Sequence, residues 1–98
     1  MNSEYQEGVQ IQSDGKVVWI NDSDGCNIGR FSRNGIDIHH RAEQQIAGGK
    51  QCLDCKAGPC TEADWEYFKA GMLKNYNVLI ENKHKPRNLA PAKKLELV

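Results

Sequence analysis

The sequence predicts a small α+β domain in which an antiparallel β-meander is followed by helices that pack on one of its faces. In the first half of the chain, short β-branched segments alternate with turn-forming residues such as Ser13-Asp14-Gly15 and Asn34-Gly35. In the second half, apolar residues recur at three- and four-residue steps, which is typical of a helix that covers a sheet. A length of 98 residues is the usual size of one domain.

The meander is predicted to have three or four strands. Alternation at 9–11 predicts an edge strand, and the apolar run at 16–20 predicts a central strand. The segments 26–31 and 36–39 are predicted to pair as a hairpin around Asn34-Gly35, because both residues tolerate the positive φ of a type I′ turn. Residues 1–7 are predicted to fray.

Two helices and a final strand are predicted after the meander. The first helix is predicted over 40–47, with Gly48-Gly49 as its stop signal, and a cysteine-bearing loop follows over 50–60. The second helix is predicted to begin after Thr61, which can form a capping box with Asp64. The apolar residues at 78–80 predict a short C-terminal strand. The predicted core consists of Trp19, Ile28, Ile36, Ile38, Trp65, Phe68, Met72 and Leu73.

Charge divides the chain into a domain at 1–82 and a basic, extended or disordered tail at 83–98. The formal net charge is zero, but the tail holds five basic residues against one glutamate. No apolar run approaches the roughly 18 residues that cross a bilayer, and the acidic N-terminus differs from a secretory signal. We therefore expect a cytoplasmic protein that does not bind membranes and whose cysteines are thiols or metal ligands rather than disulfides.

The cysteines predict a candidate zinc site. Cys52 and Cys55 have the C-x-x-C spacing that lets two thiolates reach one tetrahedral ion, and Cys60 follows five residues later. One histidine from the adjacent pair His39 and His40 would complete a Cys₃His set, since neighbouring strand residues face opposite sides. The alternatives are reduced, partly buried thiols, a redox pair, or a Cys60 nucleophile activated by the following helix.

A basic cluster predicts a second candidate surface. An aromatic ring among arginines can grip single-stranded nucleic acid, and the basic tail can contact phosphates. The candidate binding residues are Arg30, Phe31, Arg33, Arg41, Lys83, Lys85 and Arg87.

The function expected from these patterns is that of a small non-enzymatic binding module, stiffened by structural zinc. A protein partner is favoured over nucleic acid because the folded part is not basic. One alternative is a small thiol- or metal-dependent enzyme that uses Cys52, Cys55 or Cys60 with a histidine. The other is a structural subunit of an assembly.

Overall fold

A six-stranded antiparallel sheet, covered on one face, forms the body of the protein. The computed structural model describes residues 2–6, 8–41 and 52–91. Each strand pairs with the next in chain order, so the sheet is a simple meander. Its strands are β1 (Asn2–Gln6), β2 (Val9–Ser13), β3 (Val17–Asp22), β4 (Asn27–Ser32), β5 (Gly35–His39) and β6 (Cys52–Ala57). The α+β class and the antiparallel meander are confirmed, but the predicted three to four strands are too few.

The two strands that sequence patterns did not predict are β1 and β6. The segment of β1 was expected to fray, and that of β6 was expected to be a loop. The β1 sequence is polar, and neither segment has the regular alternation that marks a half-buried strand. Their strand character comes from backbone pairing with β2 and β5, and the presence of β1 also makes β2 an interior strand rather than an edge.

Two bulges set which side chains share a face. In β4 the extra residue is Ile28, next to Gly29. In β6 the extra residue is Leu53, because His39 pairs with Cys52 while Ile38 pairs with Asp54. Residues three apart face opposite sides of a regular strand. The extra residue in β6 therefore places Cys52 and Cys55 on the same side.

The β4–β5 hairpin is confirmed, but its turn differs from the predicted one. Ser32 pairs with Gly35, so the loop residues are Arg33 and Asn34. Among the described residues, positive φ occurs only at Asn77 and at three glycines outside this turn, so the predicted type I′ turn is wrong. The carbonyls of Arg33 and Asn34 instead accept hydrogen bonds from the chain after β6, from the N–H groups of Cys60 (2.7 Å) and Gly58 (2.8 Å).

The helix α1 (Glu62–Tyr76) begins at the predicted capping box. Thr61 accepts a hydrogen bond from the Asp64 N–H, and the Asp64 carboxylate accepts one from the Thr61 N–H, which completes the capping box. Asn77 ends the helix with a φ of 54°. Leu73 was predicted in the core, but its side chain is 47% exposed. It lies one position past Met72 on the helix and so points away from the sheet.

The core lies between one face of the sheet and α1, with added residues from the chain after the helix. Phe31 contacts the rings of Trp65 and Phe68 at centroid distances of 5.2 and 5.4 Å. Trp19 was predicted to be buried here but is only half-buried, on the other face. The buried hydrophobic residues are Val9, Ile11, Val18, Ile20, Ile28, Phe31, Ile36, Ile38, Cys60, Trp65, Phe68, Met72, Val78 and Ile80.

The chain after α1 packs on the β2 end of the sheet. Residues 78–80 are irregular rather than the predicted strand, although Val78 and Ile80 are buried. Buried His84 bonds Ser13 of β2 (Nδ1 to Oγ, 3.0 Å), and the Arg87 N–H donates to the Gly15 carbonyl (2.9 Å). Residues 83–91 of the predicted loose tail are thus packed on the domain.

Two further expectations concern the parts of the chain around the described ranges. The predicted helix at 40–47 lies outside the described residues apart from His40 and Arg41, which are not helical. Residues 92–98 of the predicted tail also lie outside them. Within the described ranges, no helix has both the length and the apolar character required to cross a membrane.

Gly71 generates a test of how closely α1 packs on the sheet. A Cβ at this position would lie 2.6 Å from Cδ1 of Ile38. We expect Gly71→Ala to lower the free energy of unfolding, because overpacking of about 1–3 kcal/mol exceeds a helix-propensity gain of about 1 kcal/mol. In an Ile38→Val background, which lacks Cδ1, the same change should stabilise the protein. Urea unfolding measures both effects, and an equal loss in the two backgrounds would contradict the packing.

Asp64 generates a test of acid stability. The hydrogen bond from the Lys56 ammonium (2.8 Å), followed by the Thr61 backbone N–H, lowers the pKa of Asp64 below its ordinary value of 3.8. The ionised carboxylate therefore stabilises the fold above that pH, and its contribution is lost as the pH falls through the lowered pKa. We expect Asp64→Asn to cost about 1 kcal/mol at pH 7 and progressively less as the pH falls below 3.8 through the lowered pKa. Unfolding curves across this range, with Asp24→Asn in an exposed turn as control, measure it.

Candidate functional site

The candidate site lies on the face of the sheet opposite α1, here called the outer face. A row of directly paired residues crosses this face from β2 to β6. In order, it consists of Gln12, Trp19, Arg30, Asp37 and Cys55. Because alternate strand residues share a face, His39 lies on the outer face beside Asp37. The outer face thus combines one large aromatic ring with charged, sulfur and imidazole groups.

An ion pair balances the charge at the centre of the row. The Arg30 guanidinium (Nη2) lies 2.7 Å from the Asp37 carboxylate (Oδ2), and the two side chains are 55% and 24% exposed. Exposed pairs of this kind add little stability, about 0–1 kcal/mol. Their consequence here is that the strip beside Trp19 carries both charges rather than a positive surplus.

The structure divides the predicted zinc ligands between the two faces. Cys52 and Cys55 are exposed on the outer face and form a disulfide with a Cα–Cα distance of 6.0 Å, within the usual range. The expectation that these two cysteines are thiols is therefore wrong. Cys60 is a buried free thiol in the core, and Cys26 is a half-buried free thiol. The β6 bulge brings the first two sulfurs together, whereas Cys60 fills the position before the α1 cap.

One group of potential metal ligands does converge. A carboxylate oxygen of Asp37, a ring nitrogen of His39 and the sulfur of Cys55 all lie within 4.8 Å of one another. His39 is thus the member of the histidine pair that lies with the cysteines, and His40 is outside the group. Sequence patterns missed Asp37, although its position two residues before His39 on an alternating strand places both on one face. A shallow hollow of about 290 Å³ borders Asp37 and Cys55.

The C-terminal end of α1 holds the β5 end of this group in place. The Tyr76 hydroxyl donates a hydrogen bond to the backbone carbonyl of His39. Burial raises the pKa of Tyr76, so the hydroxyl keeps the proton it donates. The Arg41 guanidinium lies over the Tyr76 ring, 5.2 Å from its centroid. The backbone of His39 is therefore tied to the helix while its side chain remains on the outer face.

The predicted arginine and aromatic cluster is also divided between environments. Phe31 is fully buried and so is not available to stack on a base. Arg30 is paired with Asp37 on the outer face, and Arg41 lies over Tyr76. Arg33 is exposed in the β4–β5 turn, where its guanidinium is 3.5 Å from the Asn88 carbonyl. These side chains do not form one basic platform around an exposed ring.

The basic residues of the C-terminal segment bond to the domain itself. Lys83 pairs with Glu81 (3.3 Å), and Lys85 pairs with Glu62 in the first turn of α1 (2.9 Å). Arg87 lies against the β2–β3 turn, where its guanidinium approaches Gly15. Within the described residues, the basic side chains of this segment therefore contribute to holding it against the domain.

Cys60 does not have the environment of an activated nucleophile. Burial raises the pKa of its thiol, and the Asp64 carboxylate raises it further against a smaller opposite effect of Lys56. A raised pKa keeps the thiol protonated near neutral pH, and the thiolate is the reactive form. The helix N-terminus was expected to lower this pKa, and that expectation is wrong because desolvation dominates.

The two free thiols generate a test of this environment. We expect iodoacetamide at pH 7.5 to modify half-buried Cys26 at least about tenfold faster than buried Cys60 in the native protein. In denaturant the two rates should become similar. Peptide mass spectrometry of timed samples measures both sites, and faster alkylation of native Cys60 would contradict the assignment.

The outer face therefore offers two features on which a function can be based. One is the half-buried Trp19 beside the Arg30–Asp37 pair, and the other is the convergent group of Asp37, His39 and Cys55. No protein-family model, curated protein or solved structure matches this chain.

Proposed function

We propose that this protein is a non-enzymatic binding module that recognises another protein through the outer face of its sheet, with Trp19 as the central anchor. The observation that carries the proposal is the position of this indole. Trp19 is half-buried and partly accessible between Gln12 and Arg30, on the face opposite the core. Tryptophan is among the residues that most often dominate protein–protein interfaces.

The fold itself does not require a tryptophan at this position. The buried positions of β3 are taken by Val18 and Ile20, which are fully inaccessible to solvent. Trp19 alternates with them and contributes no ring to the core, where the aromatic contacts are among Phe31, Trp65 and Phe68. A large ring held on a rigid strand loses little conformational freedom on binding, which favours its use as an anchor.

The surroundings of Trp19 favour a protein over a nucleic acid. Phosphate recognition depends on positive charge that a protein keeps available for the ligand. Arg30, the nearest cation in the row, is paired with Asp37, and the net charge of the chain is zero. An apolar ring flanked by Gln12 and an ion pair instead suits a partner that offers apolar and hydrogen-bonding groups together.

The two alternatives from the sequence have less support. An enzyme that uses Cys60 would need a reactive thiolate, whereas burial raises the pKa of that thiol. A structural subunit would place a second copy of the chain on the outer face, and this occupant is one outcome of the experiment below.

Trp19 generates the test of this proposal. We expect Trp19→Ala to weaken binding of the partner at least tenfold, a loss of about 1.4 kcal/mol or more, because the indole is the anchor. Leu79→Ala is the matched control, since Leu79 is 63% exposed on the segment that covers the opposite face. Each of the three proteins is used to capture binding partners from an extract of the source cells. Partners that are retained by wild type and Leu79→Ala, but not by Trp19→Ala, are purified. Calorimetry then measures the Kd of each partner for each variant.

Three outcomes would contradict the proposal. The purified partners could bind Trp19→Ala as tightly as wild type. Single-stranded nucleic acid could bind at low salt and depend on Trp19. Sizing at increasing concentration could show a dimer that Trp19→Ala dissociates. Urea unfolding of both variants checks that lost binding does not come from lost structure.

A further inference from the structure

Four side chains on the outer face occupy the corners of a small patch across β5 and β6. Asp37 pairs with Cys55, and His39 pairs with Cys52. The Leu53 bulge places both cysteines on the side of Asp37 and His39. A carboxylate–sulfur pair (Asp37 and Cys55) therefore lies next to an imidazole–sulfur pair (His39 and Cys52) on the sheet.

The spacing of these groups is close to that of a tetrahedral zinc centre. Ligands about 2.0–2.3 Å from Zn²⁺ are about 3.3–3.8 Å from one another. The ligand atoms of Asp37, His39 and Cys55 already lie within 4.8 Å, and the sulfur of Cys52 is bonded to that of Cys55. For Asp37, His39 and Cys55, side-chain rotations need to close a gap of about 1 Å. Reduction of the disulfide frees the Cys52 sulfur to move with them.

We propose that Asp37, His39, Cys52 and Cys55 form a thiol-switched zinc site, which binds Zn²⁺ when the Cys52–Cys55 disulfide is reduced. This inference does not rest on the proposed protein-binding function, since Trp19 is not a ligand. It replaces Cys60 of the predicted ligand set with Asp37, and it selects His39 over His40.

The oxidation state of Cys52 and Cys55 controls zinc binding because these two cysteines supply two of the four ligands. Thiolates are strong zinc ligands, whereas the sulfurs of a disulfide carry no charge. A dithiol reductant gives two electrons and two protons to the Cys52–Cys55 bond and becomes a disulfide itself. Zn²⁺ then displaces the two thiol protons and bonds both sulfurs, the His39 imidazole and the Asp37 carboxylate. In the reverse direction a small-molecule disulfide takes up the two electrons with two protons and becomes a dithiol, so the Cys52–Cys55 bond re-forms and Zn²⁺ is released. Only Asp37 and His39 then remain as potential ligands.

The surroundings can accommodate the charge of the loaded site. Two thiolates and one carboxylate carry three negative charges against the two positive charges of zinc. Arg30 bonds one oxygen of Asp37, which leaves the second oxygen for the ion and offsets the excess negative charge. The tie between Tyr76 and the His39 carbonyl fixes the backbone of the imidazole ligand.

The experiment titrates Zn²⁺ into the full chain, reduced or oxidised, against a chromophoric chelator. We expect the reduced protein to bind one equivalent and the oxidised protein to bind at least about a hundredfold more weakly, since two ligands are lost. Co²⁺ in place of Zn²⁺ should give tetrahedral visible bands and sulfur-to-metal charge transfer in the reduced protein. The cobalt spectrum reports the ligands without any assay of activity.

Matched variants identify the ligands. His39→Gln should weaken zinc binding at least about tenfold while the adjacent His40→Gln leaves it unchanged. The double variant Cys52→Ser/Cys55→Ser should abolish the charge-transfer band, whereas Cys26→Ser should keep it. Asp37→Asn carries the test if a cysteine variant fails to fold, which circular dichroism of the metal-free protein detects. Equal binding by the oxidised protein, or tight binding that survives both His39→Gln and Asp37→Asn, would overturn the site.

Discussion

The whole molecule depends on the burial of one face of a six-stranded sheet. Strand side chains alternate between faces, so covering one face fixes the register of every strand beneath it. The helix α1 contacts β4 and β5, and the chain after it reaches β2 through His84 and Ser13. The residues of the outer face are determined by which face α1 and the following chain cover. Strand residues that do not point toward α1 and that chain point to the outer face.

Patterns in the sequence predict the elements of the fold that are determined by local residues. The capping box of Thr61 and Asp64 is a local signal, and the start of α1 was identified from it. β1 and β6 were missed because neither sequence has a regular strand pattern, and their strand character comes from pairing with β2 and β5. Trp19 was wrongly predicted to lie in the core because β3 has apolar residues on both faces. The sequence of such a strand does not show which of its faces the helix will cover.

The candidate site was predictable in its residue types but not in its arrangement. The C-x-x-C spacing identifies Cys52 and Cys55, and alternation links Asp37 to His39. The Leu53 bulge that brings these pairs together is a mismatch between two strands distant in sequence, so no local pattern reports it. Cys60 was grouped with the other cysteines because spacing alone does not show that its sulfur turns into the core.

The C-terminal segment is synthesised last, and this affects how the sheet is covered during synthesis of the chain. The partners in the Ser13–His84 hydrogen bond are 71 positions apart, so β2 and β3 leave the ribosome long before their cover. Until that segment docks, the apolar face of β2, which Ser13 shares with Val9 and Ile11, lacks the cover that His84 brings, and exposed apolar strands of this kind aggregate. A chain cut shortly after α1 would keep this surface permanently and should depend on chaperones to remain dispersed.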